Sequence, residues 1–285
     1  MSAAAASTEF VPRRSRLAEL SAMAALFRLT VRQHLHGRRL IVLALLYALP
    51  CALALLLRWL PRPPRPDELE FGLVFNLVPH GLAPLTALLY AAGAISDEVE
   101  EQTLTYLLMR SIPRWAIYVV KLLATWCVAT VLVSLAITAI DLSIYAGTTE
   151  FQTDILADRL PRMLAITALA QLAYCAVFGF IGLATRRSLV AGLVFIVVIE
   201  GVLTNLEFVL RTATVVFYVR TLILHWIALP ASMERDIREW QMPLAEIPTA
   251  SEAVQRLLLA GVIGIALGAW WFARREFRVK TPEGS

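Results

Sequence analysis

A chain of 285 residues that is 59% hydrophobic and 17% charged, with a mean hydropathy of +0.68, is too apolar for a water-soluble domain of its length. The formal charge of +4 and pI near 9.2 do not point to nucleic acid, because the basic residues sit beside apolar runs, where they set topology and meet anionic lipid. The composition therefore predicts an all-α, polytopic membrane helical bundle with no separate soluble domain.

Residues 1–39 are mixed and basic, with Arg13, Arg14, Arg16, Arg28, Arg32, Arg38 and Arg39, and no apolar core follows the arginine pair as a signal sequence requires. From Leu17 to Leu35, Leu17, Leu20, Ala24, Phe27 and Val31 recur at helical spacing, which predicts an amphipathic helix on the cytoplasmic membrane surface. A first span is expected over about Leu40–Leu57, with Arg58 and Trp59 as interfacial anchors. After a proline-rich link, a second span covers about Phe71–Ile95. It contains Pro79 and Pro84, which remove backbone donors, so the freed carbonyls must meet protein or water. That marks Pro79 and Pro84 as candidate pathway residues.

The passage ISDEVEEQTLTYLLMRSIPRWAIYVVK, from Ile95 to Lys121, is the longest charged stretch wedged between apolar runs. Asp97, Glu98, Glu100 and Glu101 lie at the positive end of a predicted helix and Arg110 at the negative end. Leu104, Leu107, Leu108 and Ile112 share one face of that helix. Pro113 ends it and suits the start of a second helix at Arg114.

The order of residues here resembles the cytoplasmic signature of ABC-2-type transporter permeases: an acidic pair (Glu98, Glu100), Thr103-Leu104, Leu107-Leu108, the turn Ile112-Pro113-Arg114 and a later Lys121. Gln102 departs from it, standing where the family usually has glycine. The resemblance implies that residues 97–113 form a coupling helix that docks on an ABC ATP-binding subunit through Asp97, Glu98, Glu100, Thr103, Leu104, Leu107, Leu108, Pro113 and Arg114. A solvated connecting helix is the plainer alternative. The resemblance also implies a homodimer, or a heterodimer with a second permease, in the cell (inner) membrane, with ATP bound only by the partner subunit.

A third span follows over about Trp115–Tyr145, with Asp141 near its outer end, and a fourth over about Pro161–Thr185. A fifth, about Leu189–Leu206, carries Glu200 in its outer half, where an acid lines a pathway or pairs with Arg211 or Asn205. The stretch 207–230 is apolar but interrupted by Arg211, Arg220 and His225, so 207–252 is expected to be outer, re-entrant or interfacial rather than a full span. The last span runs over about Ala253–Phe272, with Gly261, Gly264 and Gly268 for close helix contact, before the basic tail 273–285. Six spans across 40–272 place both termini in the cytoplasm by the positive-inside rule.

Cys51, Cys127 and Cys175 and the four scattered histidines lack ligand spacing, and no metal site is expected. No Gly-Lys dipeptide occurs, so a P-loop is excluded, and no hydrolase or metalloprotease motif is present. A permease subunit that performs no covalent chemistry and binds no cofactor of its own is the reading these features favour. A membrane-embedded enzyme, or a non-transporting anchor that recruits an ATPase, are the alternatives.

Overall fold

The computed structural model describes residues 16–94, 112–146, 157–185, 187–205, 209–227, 229 and 247–275. These residues form eight helices and no strand. They are α1 (Arg16–His36), α2 (Arg38–Arg58), α3 (Pro66–Ala91), α4 (Arg114–Tyr145), α5 (Ala157–Ala184), α6 (Ser188–Val202), α7 (Val215–Trp226) and α8 (Ala250–Arg274). Five of them, α2, α3, α4, α5 and α8, are long and apolar enough to cross a membrane. The predicted fifth span is shorter than the sequence suggests: α6 has 15 residues, about 22 Å, and then tightens into a 3₁₀ turn at Leu203–Asn205.

The bundle is built around α5, whose buried side chains include Met163, Ile166, Gln171, Tyr174, Cys175 and Phe178. Helices α3, α4, α7 and α8 pack around it. By contrast α2 leans mainly on α4, and only 17% of its most apolar stretch is buried, so most of its surface is left for lipid. Helix α1 also packs along α4, through Leu26 and His34.

Small residues allow the closest approaches. Gly264 of α8 faces Ala176 of α5, and a Cβ at that position would lie 2.9 Å from the alanine methyl. Helix α3 is less regular. Its middle, Phe71–Leu82, is wound wider than an α-helix, with hydrogen bonds reaching one residue further, and Pro79 lies inside it. Pro84 stands second in the α-helical part that follows, where its missing N–H leaves a carbonyl of the wide stretch open.

This packing separates two glycine substitutions. Gly264→Val forces a branched side chain into the α5 contact and is expected to destabilise the protein by about 1–3 kcal/mol. A Cβ at Gly72 meets nothing within 4 Å, so Gly72→Ala should leave stability unchanged or raise it by about 0.5–1 kcal/mol. Thermal unfolding of the two variants in detergent measures the contrast.

Candidate functional site

Residues 95–111 lie outside the described structure, and with them Asp97, Glu98, Glu100, Thr103, Leu104, Leu107 and Leu108 of the predicted coupling helix. The flanks of that segment are well defined. On the far side Pro113 is extended, φ −63° and ψ 141°, and caps α4, its carbonyl accepting the Ala116 and Ile117 N–H groups. Arg114 is exposed at the first position of α4, while Ile112 is buried. On the near side, three residues past the end of α3, the Ala94 carbonyl accepts a 2.5 Å hydrogen bond from Lys121 Nζ. Lys121 is buried, and its ammonium is satisfied at the Ala94 carbonyl. Lys121 thus ties the residue that precedes the 95–111 segment to α4, the helix that follows it.

Lys121 also sits beneath α1. The Thr125 hydroxyl donates to the Lys121 carbonyl at 2.9 Å, so His34 Nε2, 2.9 Å from the same oxygen, is the donor to it. The His34 ring packs edge-on against Tyr90, whose hydroxyl reaches the His34 carbonyl. Burial, then the nearby charges of Lys121 and Arg39, push the His34 imidazole down to about 4.

A second polar cluster lies within the bundle and gathers the three predicted pathway residues around α5. The Tyr174 hydroxyl is shared between the Pro79 carbonyl, 3.4 Å away, and the Glu200 carboxylate. Pro79 O is the acceptor that the missing N–H of Pro84 would have met in the wide winding of α3, so tyrosine replaces a lost backbone donor. Gln171, one turn earlier on α5, donates to the carbonyl of Ala83, the residue before Pro84, at 3.0 Å.

Glu200 is 1% exposed, and its two oxygens accept the N–H groups of Val215 and Val216, each at 3.0 Å. The N–H of Phe217 goes to Thr214 Oγ1 and that of Thr214 to the Arg211 carbonyl. All four orphan donors at the start of α7 are therefore met, two of them by a carboxylate at the positive end of the helix. Arg211 lies over the Phe217 ring, its guanidinium carbon 5.4 Å from the ring centre. The 207–230 stretch thus contains a 12-residue helix, about 18 Å long, whose first nine residues are all buried. One turn further on, Arg220 Nη2 donates to His80 Nε2 at 2.8 Å, and His80 Nδ1 donates to the Asn76 carbonyl. This fixes the histidine tautomer and links α7 to the wide part of α3.

Sequence reasoning singled out Glu200, Pro79 and Pro84 but not Tyr174, Gln171 or the Arg220–His80 contact. Thr214 ahead of the apolar run Val215–Val219 is an N-cap pattern that could have located the start of α7. Residues 80 and 220 have no local signal that connects them.

The geometry is that of a multi-pass membrane protein with a polar network packed among broken and short helices. A family model described as ABC-2 family transporter protein matches residues 33–203, from the last turn of α1 to just past α6. The match covers more than half of the chain, and the chain belongs to this family. No curated protein matches it significantly.

The position of His34 sets a pH dependence. Its folded-state value lies below the ordinary 6.5, so the unfolded chain binds the extra proton first. The stability tied to neutral His34 is complete above about pH 6.5 and is lost as the pH falls toward 4. His34→Gln retains a donor for Thr125 but does not titrate. Between pH 7.5 and pH 5, wild-type protein should lose about 2 kcal/mol relative to this variant, read as a difference in unfolding temperature.

Proposed function

We propose that this chain is the membrane-spanning permease subunit of an ABC-2-type exporter, energised by a separate ATP-binding subunit that docks on residues 97–113. Two permeases, identical or paired with a second kind, would enclose the transport path in the cell (inner) membrane, with both termini and the 97–113 segment on the cytoplasmic side. Asp97, Glu98 and Glu100 would offer charge to a basic groove, and Leu104, Leu107 and Leu108 the apolar face that seats in it. The chain itself would bind no nucleotide and perform no covalent chemistry.

The observation that carries this reading is the Lys121–Ala94 bond. Because Lys121 of α4 holds the last described carbonyl before the 95–111 segment, a push on that segment acts on α3 and α4 together rather than on a free loop. Helix α3 contains the wide, proline-broken stretch tied to Tyr174, Gln171 and, through His80, to α7. A displacement at the cytoplasmic end therefore has a contiguous packed route to the polar cluster, with Glu200, Pro79 and Pro84 as its pathway residues. Helix and loop rearrangements of this kind require two discrete packings, which a helix already broken by proline can supply.

The test is co-purification with the ATP-binding subunit, together with substrate-stimulated ATP hydrolysis. Leu107→Asp and Glu98→Lys should weaken association. Lys121→Met should leave association intact but lower stimulation at least about fivefold. Asp154→Ala, in the connection between α4 and α5, should change neither. Full association and stimulation in both Leu107→Asp and Glu98→Lys would contradict the coupling role.

A further inference from the structure

At the opposite ends of α3 and α4 from the 95–111 segment, a third cluster of charge is buried that the transport reading does not use. Glu70, in the first turns of α3, is 1% exposed, and its Oε2 accepts both the Tyr145 hydroxyl at 2.6 Å and Arg159 Nη1 at 2.7 Å. The Tyr145 hydroxyl also leans toward Asp67 Oδ1, 3.4 Å away. One turn before Tyr145 on α4 lies Asp141, 3% exposed, and its Oδ1 has no hydrogen-bond partner. Asp141 thus lies on the same helix as Tyr145, one turn from the residue whose hydroxyl donates to Glu70.

Arg159 and Tyr145 both direct their donors at Glu70, and Asp67 is half-buried at the edge. From α2, Arg58 reaches the end of α4 but donates to the Ala146 carbonyl at 2.6 Å and, more weakly, to that of Ser143. The Asp158–Arg162 pair on α5 is exposed, and Arg162 also donates to the Trp226 carbonyl. Glu70 is therefore neutralised by Arg159, and Asp141 remains as a second buried carboxyl with an oxygen that nothing in the described structure serves. A buried carboxylate without a donor is costly, and an acid within a membrane helix is by default a binding or transfer group.

We infer that Asp141, together with Glu70, forms a binding site for one small monovalent cation, a proton or an alkali metal ion. Among the described residues no group of three or more His, Cys, Asp and Glu side chains is placed to hold a metal ion. Two carboxyls and a tyrosine hydroxyl suit a singly charged occupant rather than a transition metal. Occupancy ties α3, α4 and the start of α5 together at the ends away from 95–111. The inference stands on these residues alone and does not depend on a transported substrate or an ATPase partner.

The experiment uses the full chain, purified in detergent and reconstituted in neutral lipid. Infrared difference spectra are taken across pH 5 to 9, and unfolding temperature is measured in sodium, potassium or choline chloride at equal ionic strength. The proton form predicts a protonated-carboxyl band that titrates within this range and is missing from Asp141→Asn. The alkali-ion form predicts no such band, and instead a rise in unfolding temperature of about 2 °C or more in sodium or potassium over choline, abolished by Asp141→Asn. If Asp141→Asn does not fold, Glu70→Gln serves in its place and should shift the titration or the salt response. A carboxyl band that stays constant across the whole range, or the absence of both responses in the wild-type protein, would overturn the inference.

Discussion

Every backbone donor and acceptor that a helix leaves open at its end, or at a proline, must find a partner inside a bilayer, because lipid supplies none. In this chain the charged side chains of one helix meet that requirement for another. Lys121 of α4 holds the Ala94 carbonyl just past α3, and Arg58 of α2 closes α4 at Ala146. Arg162 of α5 donates to the Trp226 carbonyl at the end of α7, and Arg275, just past α8, to the Leu183 carbonyl near the end of α5. Glu200 does the same with opposite sign at the start of α7. Of these, Lys121 and Glu200 are buried, while Arg58, Arg162 and Arg275 are exposed at the bundle's surface. Among the described residues, the Arg159–Glu70 pair is the ion pair with a fully buried carboxylate.

This arrangement accounts for the least regular part of the bundle. A 12-residue helix cannot cross a membrane, and α7 is stable inside the protein because Glu200 and Thr214 hold its start and Arg162 its finish. Its neighbour α6 is also short, and Glu200 near its C-terminal end reaches across to α7. Helix α3 tolerates two prolines because Tyr174 and Gln171 stand along one face of α5 at the level of the break. These three irregular elements are joined by hydrogen bonds through Tyr174, Glu200 and His80, and the long helices α4, α5 and α8 form the frame around them.

The frame was legible in the sequence. Runs of about 20 apolar residues, Pro113 before Arg114 and the basic flanks locate α2, α4, α5 and α8 within a few residues, because length and hydropathy are local properties. The break in the second span was legible too, since proline acts on its own helix. The partners were not. Glu200 was assigned a pathway role or a pairing with Arg211 or Asn205, but its oxygens are taken by backbone N–H groups 15 and 16 residues on, and a backbone amide leaves no trace in a sequence. Glu70 and Arg159 are 89 residues apart and each reads as an ordinary helix-end charge, while Asp141 reads only as an acid near a span's end and is buried. Side chains that satisfy distant helix ends have no periodicity, so only the folded arrangement brings them together.

The Glu200 carboxylate holds the first turn of α7 through the Val215 and Val216 N–H groups. Hydrogen exchange over residues 209–226, compared between wild-type protein and Glu200→Gln, tests this directly. Glutamine keeps one acceptor and loses the charge. The amides of Val215 and Val216 should exchange about tenfold faster or more in the variant, while those of α5 remain protected. Unchanged protection at Val215 and Val216 in a folded variant would show that the carboxylate does not anchor the helix.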